Sequence, residues 1–218
     1  MNFNINKYID HTLLSPETTS NQMEDFCKEA SYYNFASVCI PPVYVGLASK
    51  LLKDTDVAVC SVVGFPFGYQ DINTKTSEAK HLMEQGADEL DVVVNLAALK
   101  SGNWDLLKDE IDRISTAIQL KDKIMKLIFE TGRLTPEEIY KLCLICLEFR
   151  IDFAKTSTGF NGPGANVELI AFMKANLQGK VKIKASGGIR SYSDAISMIQ
   201  AGADRIGTSS ALAIVKEA

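Results

Sequence analysis

Short apolar runs alternate with amphipathic helical patterns along all 218 residues of this chain, and this order limits the folds open to it. Eight runs have the composition of strands: Tyr8–Asp10, Ala36–Ile40, Ala58–Val63, Glu89–Val94, Met125–Phe129, Asp152–Lys155, Val181–Lys184 and Arg205–Gly207. Six helical patterns lie between them: Thr18–Tyr32, Thr74–Gln85, Leu106–Leu120, Pro136–Phe149, Val167–Asn176 and Ser191–Ala201. This α/β pattern predicts parallel βαβ units, and eight units predict a closed (β/α)8 TIM barrel that occupies residues 1–218 as a single domain.

A weak internal repeat supports closure of the barrel. The segment Gln85–Leu90 resembles Ala201–Ile206, and the two lie 116 residues apart. Four units across that distance have about 29 residues each, a normal length for a βα repeat. The alternative is that Gly-Ala-Asp is a common turn from helix to strand. A doubly wound open sheet is the competing architecture, but no G-x-G-x-x-G follows the first strand.

Composition argues against several classes of protein. The formal net charge is -4 and no basic run of five or more occurs, which argues against binding to nucleic acid. No apolar stretch approaches about 18 residues, so no membrane span is expected. The segment Met1–Lys7 is rich in Asn and lacks the apolar region of a secretory signal, so the expected location is the cytoplasm.

Cysteine and histidine usage gives no sign of a metal or disulfide framework. The five cysteines are scattered through apolar segments, which favours reduced, buried thiols. Cys143 and Cys146 have C-x-x-C spacing within an amphipathic helix pattern, and we interpret them as core residues rather than a metal or redox site. With only His11 and His81 available, a three-histidine zinc site within one chain is impossible, and no metal or other cofactor is expected.

Two lysines close predicted strands and run into small, polar loops. Lys155 precedes Thr156-Ser157-Thr158-Gly159, and Lys184 precedes Ala185-Ser186-Gly187-Gly188. A lysine at the end of a buried strand is costly to desolvate unless it has a use, although the side chain can also reach out to solvent. A neighbouring cation favours the uncharged amine, which attacks carbonyls. We therefore expect Lys155 to form an imine and Lys184 to keep it partly uncharged near neutral pH. Lys182 is the rival for the second role, but we expect it deeper in the barrel or in an ion pair.

Active sites of this fold lie where the strands end, so polar residues there are candidates. They are Asp10, Cys39, Asp91, Asn95, Glu130, Lys155 and Lys184. Asp91 lies within an apolar strand and needs a partner, which a barrel lysine could supply. It is also a candidate general acid or base, and the two roles are compatible. Asp88 and Glu89 are assigned to the entrance of that strand.

Two glycine- and serine-containing loops predict an anion site. Ser186–Arg190 follows the seventh strand and Gly207–Ser210 follows the eighth, and each leads into a helix. Glycines let backbone N–H groups approach an anion, and loops after strands seven and eight commonly bind phosphate in this fold.

The chain resembles the deoxyribose-phosphate aldolases, which are class I aldolases, almost from end to end. The matching motifs are Ile9–Leu14, Val62–Pro66, Ala87–Val93, Glu130–Gly132, Asp152–Gly159 and Lys184–Arg190. The resemblance implies that Lys155 is the Schiff-base nucleophile and that Asp91 and Lys184 donate and accept protons. It also implies contacts with substrate or phosphate by Asp10, Gly159, Gly187, Gly188, Ser209 and Ser210. The polar loops themselves add Thr156, Arg190 and Gly207 as candidates for such contacts.

The activity implied is reversible cleavage of 2-deoxy-D-ribose 5-phosphate to D-glyceraldehyde 3-phosphate and acetaldehyde, with no metal, in a homo-oligomeric enzyme (dimer or tetramer). The partners are then a small sugar phosphate and an aldehyde. A sugar-phosphate isomerase, a different Schiff-base aldolase and a non-catalytic phosphosugar-binding barrel are the alternatives. Some members carry a phosphate-binding lysine where this chain has Phe160, which predicts a weaker preference for phosphate. His11 falls in a matching motif, and we interpret it as structural.

Overall fold

Eight parallel strands form one closed barrel in the computed structural model, which describes residues 4–218. The strands follow chain order, and β8 closes the barrel by pairing with β1. Their bounds are β1 Ile9–Thr12, β2 Ser37–Ile40, β3 Ala58–Val63, β4 Glu89–Val93, β5 Ile124–Ile128, β6 Phe153–Lys155, β7 Lys182–Ser186 and β8 Arg205–Thr208. The predicted barrel is therefore confirmed, and the open sheet is wrong. Met1, Asn2 and Phe3, on which part of the argument about a secretory signal depends, lie outside the described residues.

Nine α-helices cover the barrel within the described part of the chain. They are α1 Ser20–Tyr33, α2 Val45–Leu51, α3 Ile72–Glu84, α4 Leu96–Lys100, α5 Trp104–Gln119, α6 Pro136–Glu148, α7 Val167–Leu177, α8 Tyr192–Ala201 and α9 Ala211–Lys216. The six predicted helices are all present, with ends shifted by a few residues. The three that the patterns missed, α2, α4 and α9, have only five to seven residues, too few to show a helical period. No helix within residues 4–218 is both long enough and apolar enough to cross a lipid bilayer.

Capping interactions fix where two of the predicted helices begin. Thr135 accepts from the backbone of Glu138, and the Glu138 side chain accepts in return from the backbone of Thr135, with Pro136 at the first helical position. Ser191 and Asp194 form the same reciprocal pair at the start of α8, so Asp takes the place of the usual Glu. Helix α8 therefore starts directly after the loop that was predicted to bind an anion.

The apolar core lies between the outer face of the strands and the helices, whereas the inside of the barrel is largely charged. Outward residues of the strands, such as Ile9, Leu90 and Ile183, are fully buried in the main apolar cluster. Cys39, Cys60 and Val62 form a small second cluster on the inner face. All five cysteines are free and buried, in agreement with the sequence. Burial raises the pKa of the Cys143 thiol to about 12, so this residue is an apolar core group rather than a reactive one.

His11 lies on the outer face of β1, beneath α1. Its ring stacks on Phe26 at a centroid distance of 3.9 Å, and its Nε2 lies 2.7 Å from a carboxylate oxygen of Glu29. Burial lowers the pKa of His11, although the nearby Glu29 carboxylate partly opposes this effect. These contacts are those of a packing residue, as the structural interpretation of His11 predicts.

The lowered pKa of His11 predicts a pH-dependent stability. In the unfolded chain the imidazole gains its proton near pH 6.5, whereas in the folded protein it stays neutral to lower pH, so the unfolded state binds more protons in between. The free energy of unfolding should therefore fall as pH drops below about 6.5, by at most about 1.4 kcal/mol per pH unit from this residue. Urea denaturation of the wild type and of His11→Gln, repeated between neutral and mildly acidic pH, measures how the free energy of unfolding changes with pH. The variant should show a smaller slope, and identical slopes would contradict the assignment.

Candidate active site

Seven charged side chains converge inside the barrel, and six of the eight strands supply them. They are Asp10 of β1, Glu89 and Asp91 of β4, Lys126 of β5, Lys155 of β6, Lys184 of β7 and Arg205 of β8. Parallel strand registers align Asp91 with Lys126 and Lys155 with Lys184. Three carboxylates therefore face four cations in a space where an unpaired charge would be very costly.

Asp91 is the centre of this cluster. Its Oδ2 accepts hydrogen bonds from the Nζ atoms of Lys155 and Lys184, both at 2.7 Å, and its Oδ1 accepts from Lys126 at 3.0 Å. Burial alone would raise the pKa of Asp91, but the three lysines together hold it well below its usual range. Asp91 is therefore a carboxylate in the resting protein, and it is placed to exchange protons with two amines.

Lys155 and Lys184 share one oxygen of Asp91, so their amines lie within two hydrogen-bond lengths of each other. Lys184 is fully buried, and its Nζ also lies 2.6 Å from Oδ2 of Asp10. Burial acts to lower the pKa of Lys184, but the carboxylates of Asp10 and Asp91 outweigh it and raise the pKa. Lys184 therefore stays positively charged beside Lys155.

Lys126, Glu89 and Arg205 are members of the cluster that sequence reasoning missed. Lys126 is fully buried and lies 2.5 Å from an oxygen of Glu89. Arg205 donates to both oxygens of Glu89 and, at 2.6 Å, to Oδ1 of Asp10. Glu89 is the first residue of β4, as the sequence predicted, but its side chain points into the barrel. The sequence did contain a signal for Lys126, because it is the one lysine within the apolar run Ile124–Ile128. A charged residue within an apolar strand is also what identified Asp91.

Lys182 and Asp10 differ from their sequence interpretations. Lys182 is exposed at the start of β7, and its Nζ lies 5.4 Å from the centre of the Phe153 ring; no ion pair within residues 4–218 involves it. The expectation of a deep or ion-paired Lys182 is therefore wrong: Lys182 shares a face of β7 with Lys184, but it is the first residue of the strand and lies at the exposed amino end of the barrel. Asp10 is fully buried in its contacts with Lys184 and Arg205 and does not line the cavity described next.

A cavity of about 480 Å³ opens at the carboxyl ends of the strands. The predicted site residues that line it are Lys155, Gly159, Gly187, Gly188, Arg190, Gly207 and Ser209. Lys155 alone among the four cations of the cluster reaches it. Thr156 and Ser210 do not line it: Thr156 is buried and donates through Oγ1 to the backbone oxygen of Ser186, and Ser210 lies at the start of α9. Only one amine of the cluster is thus available to a substrate.

Backbone N–H groups at one side of this cavity have no hydrogen-bond partner in the described part of the chain. Gly187 and Gly188 adopt φ values of +88° and +82°, and no hydrogen bond within residues 4–218 uses their N–H groups or that of Ser209. A Cβ on Gly164 would lie 2.0 Å from the backbone oxygen of Gly187, so the two loops meet main chain to main chain. Unpaired N–H groups beside the start of α8, together with Arg190, form a suitable anion site.

Phe160 provides an apolar wall of the cavity. The side chain is 54% exposed and meets the edge of Phe65, with ring centroids 5.2 Å apart. This is the position at which a lysine would have added positive charge. The charge on this side of the cavity therefore comes from Arg190.

Cys39, Cys60 and Asp91 are the one group of ligand-type side chains close enough to hold a metal ion within the described residues. The Cys60 thiol donates to Oδ1 of Asp91 at 3.1 Å. Both oxygens of Asp91 already accept from lysine ammonium groups, and a further cation would be repelled there. The donor set does not fit a metal site.

The cluster predicts a large stability cost for Lys126→Met. The substitution removes a cation that forms ion pairs with three buried carboxylates, and we expect the free energy of unfolding to fall by about 3 kcal/mol. Lys182→Met is the matched control, since Lys182 is an exposed lysine that also contacts Phe153, and its cost should stay within about 1 kcal/mol. Urea denaturation compares the two. Equal costs would show that the interior charge of Lys126 does not stabilise the barrel.

Comparisons with known proteins give one consistent answer. The sequence model of the DeoC/LacD aldolase family matches residues 5–217. The deoxyribose-phosphate aldolase of Streptococcus suis is 49% identical over 98% of this chain and 96% of its own length. That of Caldanaerobacter subterraneus subsp. tengcongensis is 50% identical over 98% of this chain and 93% of its own.

Solved structures agree with the sequence comparisons. The crystal structure of a putative deoxyribose-phosphate aldolase from Coccidioides immitis superposes with a TM-score of 0.95 at 42% identity, covering 98% of this chain and 85% of that one. The Aeropyrum pernix deoxyribose-phosphate aldolase, described as a tetramer, gives 0.91 at 34% identity, covering 97% of this chain and 89% of that one. This chain belongs to the DeoC/LacD family of aldolases.

Proposed function

We propose that this chain is a deoxyribose-phosphate aldolase that uses a Schiff base on Lys155. It cleaves 2-deoxy-D-ribose 5-phosphate reversibly to D-glyceraldehyde 3-phosphate and acetaldehyde. The observation that carries the proposal is that Lys155 lines the cavity and shares with the buried Lys184 a hydrogen bond to one oxygen of Asp91. The curated relatives, with about half of their residues identical, carry the same name.

Each chemical step has a residue placed for it. The amine of Lys155 attacks C1 of the aldehyde, and loss of water gives an iminium that keeps the positive charge beside Asp91. Removal of the proton from the C3 hydroxyl then breaks the C2–C3 bond, and the electron pair moves toward the iminium nitrogen. The resulting enamine is protonated at C2, and hydrolysis releases acetaldehyde and Lys155.

Asp91 and Lys184 relay the protons in this proposal. While three ammonium groups surround Asp91, it holds no proton. When the electron pair of the C2–C3 bond moves to the iminium nitrogen of Lys155, that nitrogen loses its positive charge. One of the cations around Asp91 is then lost, and the affinity of Asp91 for a proton rises. Asp91 therefore binds a proton more strongly at the step in which the C3 hydroxyl loses one. Lys184 donates to the same oxygen, so a proton can pass between its amine and Asp91.

The phosphate of the substrate is assigned to the unpaired N–H groups of Gly187, Gly188 and Ser209, with Arg190 as the cation. These groups and Lys155 line the same cavity. This arrangement suits a five-carbon chain with an aldehyde at one end and a phosphate at the other. Asp10 acts through its ion pair with Lys184 rather than by direct contact with substrate hydroxyls.

We further propose a homo-oligomer, a dimer or tetramer, in the cytoplasm. The tetrameric structure of the Aeropyrum pernix relative supports the first part. The cytoplasmic location stays a prediction from the sequence.

Reductive trapping tests the role of Lys155. Sodium borohydride with acetaldehyde should add one ethyl group to the peptide that contains Lys155, as read by mass spectrometry after digestion. Lys155→Met should abolish the label and lower kcat/KM for 2-deoxyribose 5-phosphate by at least about a thousandfold, because no other amine of the cluster reaches the cavity. Lys182→Met serves as the lysine control, and it should keep both the label on Lys155 and the wild-type kcat/KM. Label on Lys184 or Lys182 would overturn the assignment, and an isomerase would form no adduct.

Phe160→Lys tests the phosphate assignment. A cation at this wall should lower KM for 2-deoxyribose 5-phosphate about threefold to tenfold at low salt, as expected for a partly exposed ion pair. KM for unphosphorylated 2-deoxyribose should not fall. Phe160→Met provides a control for the loss of the ring, and an equal change for both sugars would place the phosphate elsewhere.

A further inference from the structure

Glu130 is a buried carboxylate for which neither the reaction nor the ion cluster provides a role. It follows β5 at the carboxyl end of the barrel, is 1% exposed and has a left-handed backbone with φ +59° and ψ +53°. A non-glycine residue in this conformation is strained by about 1–3 kcal/mol. No lysine, arginine or histidine within residues 4–218 forms an ion pair with it. Something other than charge pairing therefore has to compensate for burying this carboxylate.

Three hydrogen-bond donors from a single loop satisfy it. Oε1 accepts from the backbone N–H of Thr158 at 3.2 Å, and Oε2 accepts from Oγ1 of Thr158 at 2.5 Å and from Nδ2 of Asn161 at 3.3 Å. Hydrogen bonds from neutral donors to a carboxylate are stronger than those between neutral groups. The negative charge of Glu130 is thus used to hold the segment 158–161.

This segment begins three residues after Lys155 and forms one side of the cavity. Thr158, Gly159 and Phe160 all line it, whereas Glu130 does not. The backbone N–H of Phe160 donates to Oγ1 of Thr158, so the orientation of this aromatic residue depends on the threonine that Glu130 holds. Asn161 extends the connection, because its Nδ2 also donates to the backbone oxygen of Pro66 in the loop after β3.

We propose that Glu130 is a positioning residue for the aldolase reaction: its carboxylate fixes the loop that follows Lys155, and thereby the wall against which the substrate lies. This inference rests on the proposed function. It differs from a role in proton transfer, because Glu130 is separated from the cavity by the loop that it holds. The predicted consequence is weaker substrate binding with the chemistry on Lys155 intact.

Glu130→Gln is the primary test, because it keeps the size and removes the charge. A glutamine has one acceptor oxygen, and its NH2 group would face a donor of the loop. We expect KM for 2-deoxyribose 5-phosphate to rise about tenfold, kcat to stay within about threefold, and the rate of borohydride trapping at saturating acetaldehyde to stay unchanged. Glu138→Gln is the matched control, since it makes the same change at the start of α6, away from the cavity, and should leave KM unchanged.

Thr158→Val is the second variant, and it tests the proposal even if Glu130→Gln does not fold. It removes the Oγ1 donor at similar volume, so KM should rise about threefold with kcat preserved. In the double variant the two effects on KM should not multiply, because both break the same contact. If the variants fold and keep the wild-type KM, the proposal is wrong. It is also wrong if kcat and the trapping rate fall together in Glu130→Gln, because Glu130 would then take part in the chemistry. Absence of turnover in the wild type would instead contradict the proposed function.

Discussion

The balance of charge inside the barrel is the constraint on which the rest of the structure depends. Three carboxylates and four cations share the buried interior of the barrel, and each ion is stable there only because its partners are held within about 3 Å. Closing eight strands around this set fixes the partners relative to one another. The barrel therefore acts as a frame that keeps like charges close together, an arrangement that a flexible chain would avoid.

The same balance makes two chemically identical lysines different. Lys184 lies between two carboxylates and stays charged, whereas Lys155 shares one carboxylate oxygen and lines the cavity. Both amines donate to the same oxygen of Asp91, so a change in the charge of one amine alters the electrostatic environment of the other. An apolar interior could not support this, since it would offer neither a second cation nor the carboxylate that joins the two amines.

The sequence predicted the barrel and the central part of the site, and the physical reasons for its failures are specific. Strands buried on both faces give continuous apolar runs, so all eight were found, whereas helices of fewer than eight residues give no period. Asp91, Lys155 and Lys184 were found because a charged residue within or at the end of an apolar strand is unusual. Lys126 carried the same signal, but one sequence does not show which face of a strand points inward. Arg205 and Glu89 lie at strand starts, where charges are common, so nothing distinguished them before closure of the barrel brought them together. The expectation for Lys182 failed because this residue begins β7, where the end of the barrel is open to solvent, and the sequence does not show depth along a strand.

The contact between Gly164 and Gly187 limits how this cavity can change. On that side the wall is made of main-chain atoms already in contact, so no side-chain replacement can widen it and any added carbon would push the two segments apart. Another part of the lining is a side chain, Phe160, whose ring meets Phe65 and which can be exchanged without moving the backbone. Changes in the range of acceptor molecules are therefore expected at Phe160 rather than at the contact between Gly164 and Gly187.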